Sequence, residues 1–369
     1  MTSETPDSAS TGGRSARAER KNDHVRLASA QRGEEPNRSD FDDLEFVHHA
    51  LDGTSPERVD LSTTVGDWTW ATPFYVNGMT GGTDTTAAIN RDLAIAAAET
   101  GMPMACGSMS VALDDPIAAK GFTVIRDENP NGFVMANLGA GRGPEDARRA
   151  VELLGADALQ VHLNPVQETA MPEGSRDFSE WAHGLELIVA ACPVPVVVKE
   201  VGFGLSRRTQ TRLADLGVRF ADVSGAGGTD FLRIENARST GTDFSMLTGF
   251  GQSALACLLD AAESGPTLLA SGGVRHPYDV VKALACGAHA VGVAGTFLQA
   301  VLDGGAEGLV EVVNTWKDQT RAVFALLGAE TPAELTRTDL LVRGRLGEFC
   351  RLRGIDLEAL SRRSEYRAD

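Results

Sequence analysis

From Pro73 onward the apolar positions of the chain come in short blocks. Eight recur: FYVNGM (74–79), PMACGS (103–108), GFVMANLGA (132–140), ALQVHLN (158–164), VPVVVKEVG (194–202), RFADVSG (219–225), TLLASGG (267–273) and AVGVAGT (290–296). Each is an apolar run that leads into glycine or polar residues, as strands buried on both faces do. Between them lie stretches of helical periodicity: TTAAINRDLAIAAAET (85–100), PEDARRAVELLG (144–155), SRRTQTRLADLG (206–217) and PYDVVKALACGA (277–288). Proline opens two of these and glycine closes several, which marks helix starts and stops. Strand–helix alternation predicts a parallel sheet. Eight units over about 225 residues suit a closed (β/α)8 TIM barrel. The alternative, an open doubly wound sheet, lacks a GxGxxG after its first strand with an acidic residue about 20 positions on.

Four regions follow. Residues 1–18 are rich in Ser, Thr and Gly and predict a disordered tail. Residues 19–72 form an N-terminal arm and lead-in segment, helical with loops, including FDDLEFVHHAL (41–51). The barrel core spans 73–304. Residues 305–369 hold the last barrel helix, GLVEVVNTWKDQTRAVFALLG (308–328), and a C-terminal helical cover within AELTRTDLLVRGRLGEFCRLRG (333–354).

Charge narrows the function. Lys and Arg number 34 against 51 Asp and Glu, a net of −17. Nucleic acids and anionic membranes need basic stripes, so neither is expected as a main partner. A small phosphorylated ligand needs only a few local cations and backbone amides and stays open. The five cysteines (106, 192, 257, 286 and 350) form no CxxC, which reads as reduced thiols in a cytoplasmic protein. The opening MTSETPDSASTGGRSARAER has no apolar stretch and predicts no secretory signal, and no window is apolar enough for a membrane span.

A TIM barrel builds its site at the C-terminal ends of its strands. Nearly every block here ends on a donor or acceptor: Asn77 and Thr80, Ser108, Asn137, His162 with Asn164, Gln167 and Glu168, Lys199 and Glu200, Ser224 and Thr229, and Ser271 to Arg275. Any one of them reads equally as a cap or a rim residue; the full ring points to a site. Gly272-Gly273-Val274-Arg275 after the seventh block and Gly292 to Thr296 after the eighth stand where barrels commonly hold a phosphate. Turn chemistry alone is the alternative, and the paired location favours the phosphate. Lys199 closes a strongly apolar strand and is open to three readings: a Schiff-base amine, a phosphate ligand or a partner for an anionic ring. Glu200, its neighbour, points to the opposite side of the strand and reads as structural. A lone carboxylate among amides, Glu168 near Asn164 and Gln167, suits Mg2+ better than zinc. Arg20, Lys21 and His24 in RKNDHV could close over an anion as a lid, although composition alone favours an ordinary basic patch. His48 and His49 read as structural, and Trp68 and Trp70 as packing.

These residues, in this order, resemble the type 2 isopentenyl diphosphate isomerase family, an FMN-dependent (β/α)8 barrel. The resemblance rests on RKNDHV (20–25), FVHHAL (46–51), NGMTGG (77–82), GSMS (107–110), ANLGA (136–140), ALQVHLNPVQE (158–168), MPEG (171–174), VVVKEVGFGLS (196–206), DVSGAGGTDFLRIEN (222–236), ASGGVR (270–275), DVVKALACGA (279–288) and GVAGTFL (292–298). HLNPVQE and KEVGFGLS are its specific elements. Ala226 and Met109 depart from the residues many members carry at those places. The resemblance implies FMN contacts from Met79, Thr80, Gly81, Ser108, Asn137, Lys199, Ser224 and Thr229. Gly273, Val274, Arg275, Ala294 and Gly295 would hold its phosphate. It implies that Arg20, Lys21 and His24 hold a prenyl diphosphate, together with Ser108, Met109, Ser110, His162, Asn164 and Gln167. Glu168 would bind Mg2+, and Gln167, Lys199 and His162 would act in catalysis. The expected activity interconverts isopentenyl and dimethylallyl diphosphate by proton exchange at reduced FMN, with NADPH needed to reduce the flavin. A homo-oligomer, tetramer or octamer, is implied in the same way. The runner-up reading is an FMN-dependent oxidoreductase of the 2-hydroxy-acid oxidase kind, for which Arg275-His276 is a superficial match.

Overall fold

The computed structural model describes residues 20–31, 39–239 and 241–366; the tail expected over 1–18 lies outside them. Among the described residues no helix is long and apolar enough to cross a membrane.

The lead-in segment departs from its helical expectation. Ser39 caps a single 3-10 turn, Asp40–Asp43, and the chain then extends as β1 (Leu44–Phe46). The apolar residues of FDDLEFVHHAL lack a helical spacing, and the Ser39–Asp42 capping box suits one tight turn. Next comes a hairpin of β2 (Thr63–Val65) and β3 (Trp68–Trp70). Gly66 turns it at φ 60, where a Cβ would stand 2.4 Å from the Phe220 ring, so only glycine serves.

Eight parallel strands close the barrel: β4 (Phe74–Val76), β5 (Met104–Ala105), β6 (Val134–Gly139), β7 (Ala158–His162), β8 (Val196–Lys199), β9 (Phe220–Asp222), β10 (Thr267–Ser271) and β11 (Val291–Val293). Closure is by β11 on β4, Val291 opposite Phe74. All eight sit within the predicted blocks. The β2–β3 hairpin plugs the N-terminal end: Trp68 stacks on Trp70 and Phe220, and Trp70 meets Tyr75 and Phe133 edge-on or tilted. With one end filled by aromatics, function is left to the other.

The last barrel helix, Gly295–Leu326, kinks at Gly305 (φ 61), and the long apolar stretch of 308–328 is its second half. The C-terminal cover is not wholly helical. Its β12 (Leu340–Val342) pairs antiparallel with β1, Leu44 opposite Val342 and Phe46 opposite Leu340. Two such short strands have no signal of their own, because each is stable only against a partner from the other end of the chain. Helices Gly344–Leu352 and Leu357–Ser361 complete the cover. All five cysteines are free thiols.

Candidate active site

The mouth of the barrel is built on a buried polar layer. Asp222, at the end of β9, is fully buried and accepts from Tyr75 Oη (2.9 Å), Asn77 Nδ2 (3.0 Å), the Ser224 amide (3.0 Å) and Ser271 Oγ (2.8 Å). Four donors offset the desolvation of one carboxylate. Burial, with the Asp222 charge second, pushes the Tyr75 hydroxyl well above its usual range, so it stays a donor. The sequence reading missed Asp222. Its only local signal is an acid inside the apolar block RFADVSG.

Lys199 ends β8 beside this layer, 5% exposed, with Nζ donating to the Glu200 carbonyl (2.7 Å). Burial lowers its pKa, against the opposing pull of Asp222 and Glu200. The Glu200 carboxylate accepts the amides of Val201 (2.7 Å) and Phe203 (2.6 Å) and organises the loop after the strand, as a structural residue would. Burial raises it to about 7. His162 caps β7 with Nδ1 2.8 Å from Asn137 Oδ1. Burial, then the Lys199 and Lys21 charges, lower it to about 3, so the ring is neutral.

The cations of the N-terminal arm do reach this mouth. Residues 20–31 are helical. Arg20 Nη1 pairs with Glu173 Oε1 (3.0 Å) and touches Met171 Sδ (3.3 Å), while Arg20 Nε is buried without a partner among the described residues. His24 Nε2 bonds Glu235 Oε1 (3.0 Å). Farther along, Gln31 exchanges two hydrogen bonds with Asp230. Lys21 is lowered to about 8, first by burial and then by Arg20, with Cys106 and Glu235 acting the other way. The basic-patch reading would leave these groups in solvent, and they are not.

Glu235, also missed by the sequence reading, joins the arm to the strand-end loops. Its Oε1 accepts from both His24 Nε2 and Gln167 Nε2 (3.0 Å each), and Oε2 pairs with Arg238. Burial works to raise this carboxyl, but those donors and the Arg238 charge hold it below its ordinary value. Gln167 is therefore locked, amide N–H toward Glu235 and Oε1 toward Asn164 Nδ2 (3.2 Å). Asn164 also reaches Glu168 Oε1 (3.2 Å), whose Oε2 accepts the Ser175 amide (2.8 Å). Among the described residues no three His, Cys, Asp or Glu side chains converge as a metal set, so any ion on Glu168 would draw its other ligands from substrate and water.

The chain's own groups fit a flavin phosphate and ring. Thr80 Oγ1 is buried without a hydrogen-bond partner among the described residues. The glycine loops after β9 and β10 lie so close that a Cβ at Gly272 would stand 2.0 Å from the Gly225 oxygen and one at Gly228 2.8 Å from the Gly273 amide nitrogen. Helix Gly295–Leu326 starts beside these loops, where Thr296 Oγ1 donates to the Val274 carbonyl (3.1 Å). Glycine loops beside a helix N-terminus suit phosphate. Ser224 holds a left-handed φ of 37, with its carbonyl accepting from Gly202 and Gly204.

Some expected contacts are placed differently. The Arg275 guanidinium is held by Asp279 (2.9 Å) and Asp42 (2.7 Å), so its charge is already paired. Met109 is fully buried in the core, and its amide donates to the Asn137 carbonyl (2.8 Å); its apolar side chain packs instead of facing a ligand. Ser108 Oγ reaches Ser110 Oγ at 3.3 Å. Met79 packs partly buried on the core, and a Cβ on Gly81 would meet the Phe122 ring at 2.2 Å. His49 bonds Asp339 (3.0 Å) at a small cavity bordered by the C-terminal cover.

Comparison with known proteins places this geometry. Residues 156–342 match the FMN-dependent dehydrogenase family. An isopentenyl-diphosphate delta-isomerase of Kitasatospora griseola is 56% identical over 94% of this chain and 95% of its own length. One of Staphylococcus haemolyticus is 42% identical over 92% and 98%. Among solved structures, mandelate oxidase with (S)-2-phenylpropionate aligns with a TM-score of 0.60 at 19% identity, covering 87% of this chain and 90% of that one. A flavocytochrome b2 mutant with pyruvate bound aligns at 0.61 and 21%, covering 80% and 75%. At such identities the likeness is one of fold.

Proposed function

This chain belongs to the isopentenyl-diphosphate delta-isomerase family, and we propose that it interconverts isopentenyl and dimethylallyl diphosphate on bound FMN, with Mg2+ on the diphosphate. The observation that carries this reading is the seating of Arg20, Lys21 and His24 at a mouth that already holds Lys199. Arg20 pairs with Glu173 and His24 with Glu235, so it is Lys21, its ammonium disfavoured by burial and by Arg20, that calls for an anion.

In this reading Lys21 and Arg20 take the diphosphate, whose charge offsets their desolvation. Glu168, oriented by Asn164 and the Ser175 amide, would hold Mg2+ with its one carboxylate, and the ion would supply charge neutralisation for the diphosphate. The glycine loops and Thr80 hold the flavin, and Lys199 favours negative charge on its ring. The isomerisation has no net redox change, and bound reduced FMN would supply the proton exchange at C4 and C2, with NADPH used only to reduce it. Gln167, its amide locked by Glu235 and Asn164, orients the C5 unit.

The 2-hydroxy-acid oxidase alternative asks for a free His–Arg pair to hold a carboxylate. Arg275 is ion-paired twice, and the His276 side chain is 50% exposed beside Asp279. The test is anaerobic: photoreduce the FMN without nicotinamide and measure turnover. Many turnovers per flavin with no NADPH consumed are expected. Full-rate isomerisation with oxidised FMN overturns the proposal, as does, in a parallel assay with NADPH as the reductant, one NADPH oxidised per product.

A further inference from the structure

Across the barrel mouth a single file of hydrogen bonds runs from Asp222 to His162. Asn77 Nδ2 donates to Asp222 Oδ2 (3.0 Å), Gln160 Nε2 to Asn77 Oδ1 (3.5 Å, the longest link), and Asn137 Nδ2 to Gln160 Oε1 (3.0 Å); Asn137 Oδ1 then lies 2.8 Å from His162 Nδ1. Asn77, Gln160 and Asn137 are all buried.

The direction of this file follows from its end. Asp222 meets four donors and is an acceptor only, so Asn77 must turn its NH2 toward it. Asn77 Oδ1 then serves the Gly78 amide (2.8 Å) and Gln160. Reversing Asn77 would set its oxygen against the carboxylate and orphan the Gly78 amide. Gln160 must therefore offer Nε2 to Asn77 and Oε1 to Asn137, and Asn137 must offer Nδ2 to Gln160 and Oδ1 to His162. An oxygen facing His162 Nδ1 requires that nitrogen to carry the proton.

We propose that Asp222 is a positioning residue for His162: through the Asn77–Gln160–Asn137 file its carboxylate holds the ring as the Nδ1–H tautomer, leaving Nε2 an acceptor for an ammonium group and unable to donate to a phosphate oxygen. The groups that bear on the ring match that role, since Lys21 and Lys199 are the charges acting on it. Gly139, beside His162 in the strand register, keeps Nε2 clear; a Cβ there would stand 3.2 Å from it. His162 thus offers Nε2 as an acceptor at a mouth that also holds Lys21 and Lys199. The inference rests on the hydrogen-bond file and not on the isomerase reading.

The test reads the tautomer without substrate or turnover, so its failure is distinguishable from a failure of that reading. The FMN-loaded protein is labelled with ring-15N histidine, and the His162 signals are assigned by their loss in His162→Gln. In the wild type we expect a neutral ring with protonated Nδ1 and bare Nε2. An Nε2–H tautomer or an imidazolium at pH 7 overturns the proposal. Asp222→Asn and Gln160→Met should each replace the single tautomer by a mixture or by Nε2–H. Gln160→Met leaves the donors on Asp222 in place, so it carries the test if Asp222→Asn does not fold. A pure Nδ1–H tautomer in folded Gln160→Met overturns the proposal as well.

Discussion

Lys21 offers a prediction whose size follows from its surroundings. Burial and the neighbouring Arg20 lower its pKa from 10.5 to about 8. That shift disfavours the ammonium by about 3 kcal/mol, a strain that a bound diphosphate would relieve. If the ligand returns Lys21 to about 10.4, its ordinary value, binding must take up about 0.1 proton at pH 7, about 0.5 at pH 8 and about 0.9 at pH 9. The assay is isothermal titration of the oxidised FMN enzyme with isopentenyl diphosphate at each pH, in buffers of different ionisation enthalpy, which separates proton uptake from intrinsic heat. Lys21→Met supplies the baseline for every other titrating group, including the ligand. We expect the uptake at pH 9 to be smaller by about 0.9 proton in that variant. Affinity at pH 7 should fall about 10- to 150-fold, the worth of one charged hydrogen bond. The wild-type advantage should narrow above pH 8, because the uncharged amine must first be protonated. Equal uptake in the two proteins at pH 9, or none in either, would refute the placing of Lys21 against the anion.

Three further outcomes are expected. Thr80→Val removes a buried hydroxyl with no hydrogen-bond partner among the described residues; it should raise the melting temperature of the FMN-free protein while weakening FMN about fivefold, near 1 kcal/mol, in a fluorescence-quenching titration, and unchanged FMN affinity would take Thr80 out of the cofactor site. Glu235→Gln leaves one amide oxygen where His24, Gln167 and Arg238 now share two carboxylate oxygens; kcat/KM should drop about 10- to 150-fold with FMN content unchanged, and a variant of full activity would reduce Glu235 to a packing role. Glu168→Gln should keep FMN but lose most activity and its response to added Mg2+, and wild-type activity undiminished by EDTA would count against the metal assignment.

Much of this site was legible because it is local. Lys199, His162, Gln167 and Glu168 stand where a strand ends, and strand ends show in the hydropathy pattern itself. The Gly272–Gly273 loop was visible for the same reason. Asp222 and Glu235 were not, although both are wholly buried carboxylates. A buried acid and an exposed one look the same in a sequence. What separates them is the set of donors around them, and for Asp222 these come from β4, β10 and the backbone beyond β9. Arg275 shows the converse: its place beside the glycine loop was readable, but its capture by Asp42 was not.

The sequence by itself determined the eight buried strands, the helices between them and their closure into a barrel, because strand burial, helix periods and turn glycines act over a few residues and leave their period in the chain. Only the tertiary structure decided the pairing of β1 with β12, the docking of residues 20–31 on the mouth and the joining of His24 to Gln167 through Glu235. Each of these depends on which group stands within about 3 Å of which, and hydrogen bonds and ion pairs are set by that distance and by the loss of water around it, not by separation along the chain.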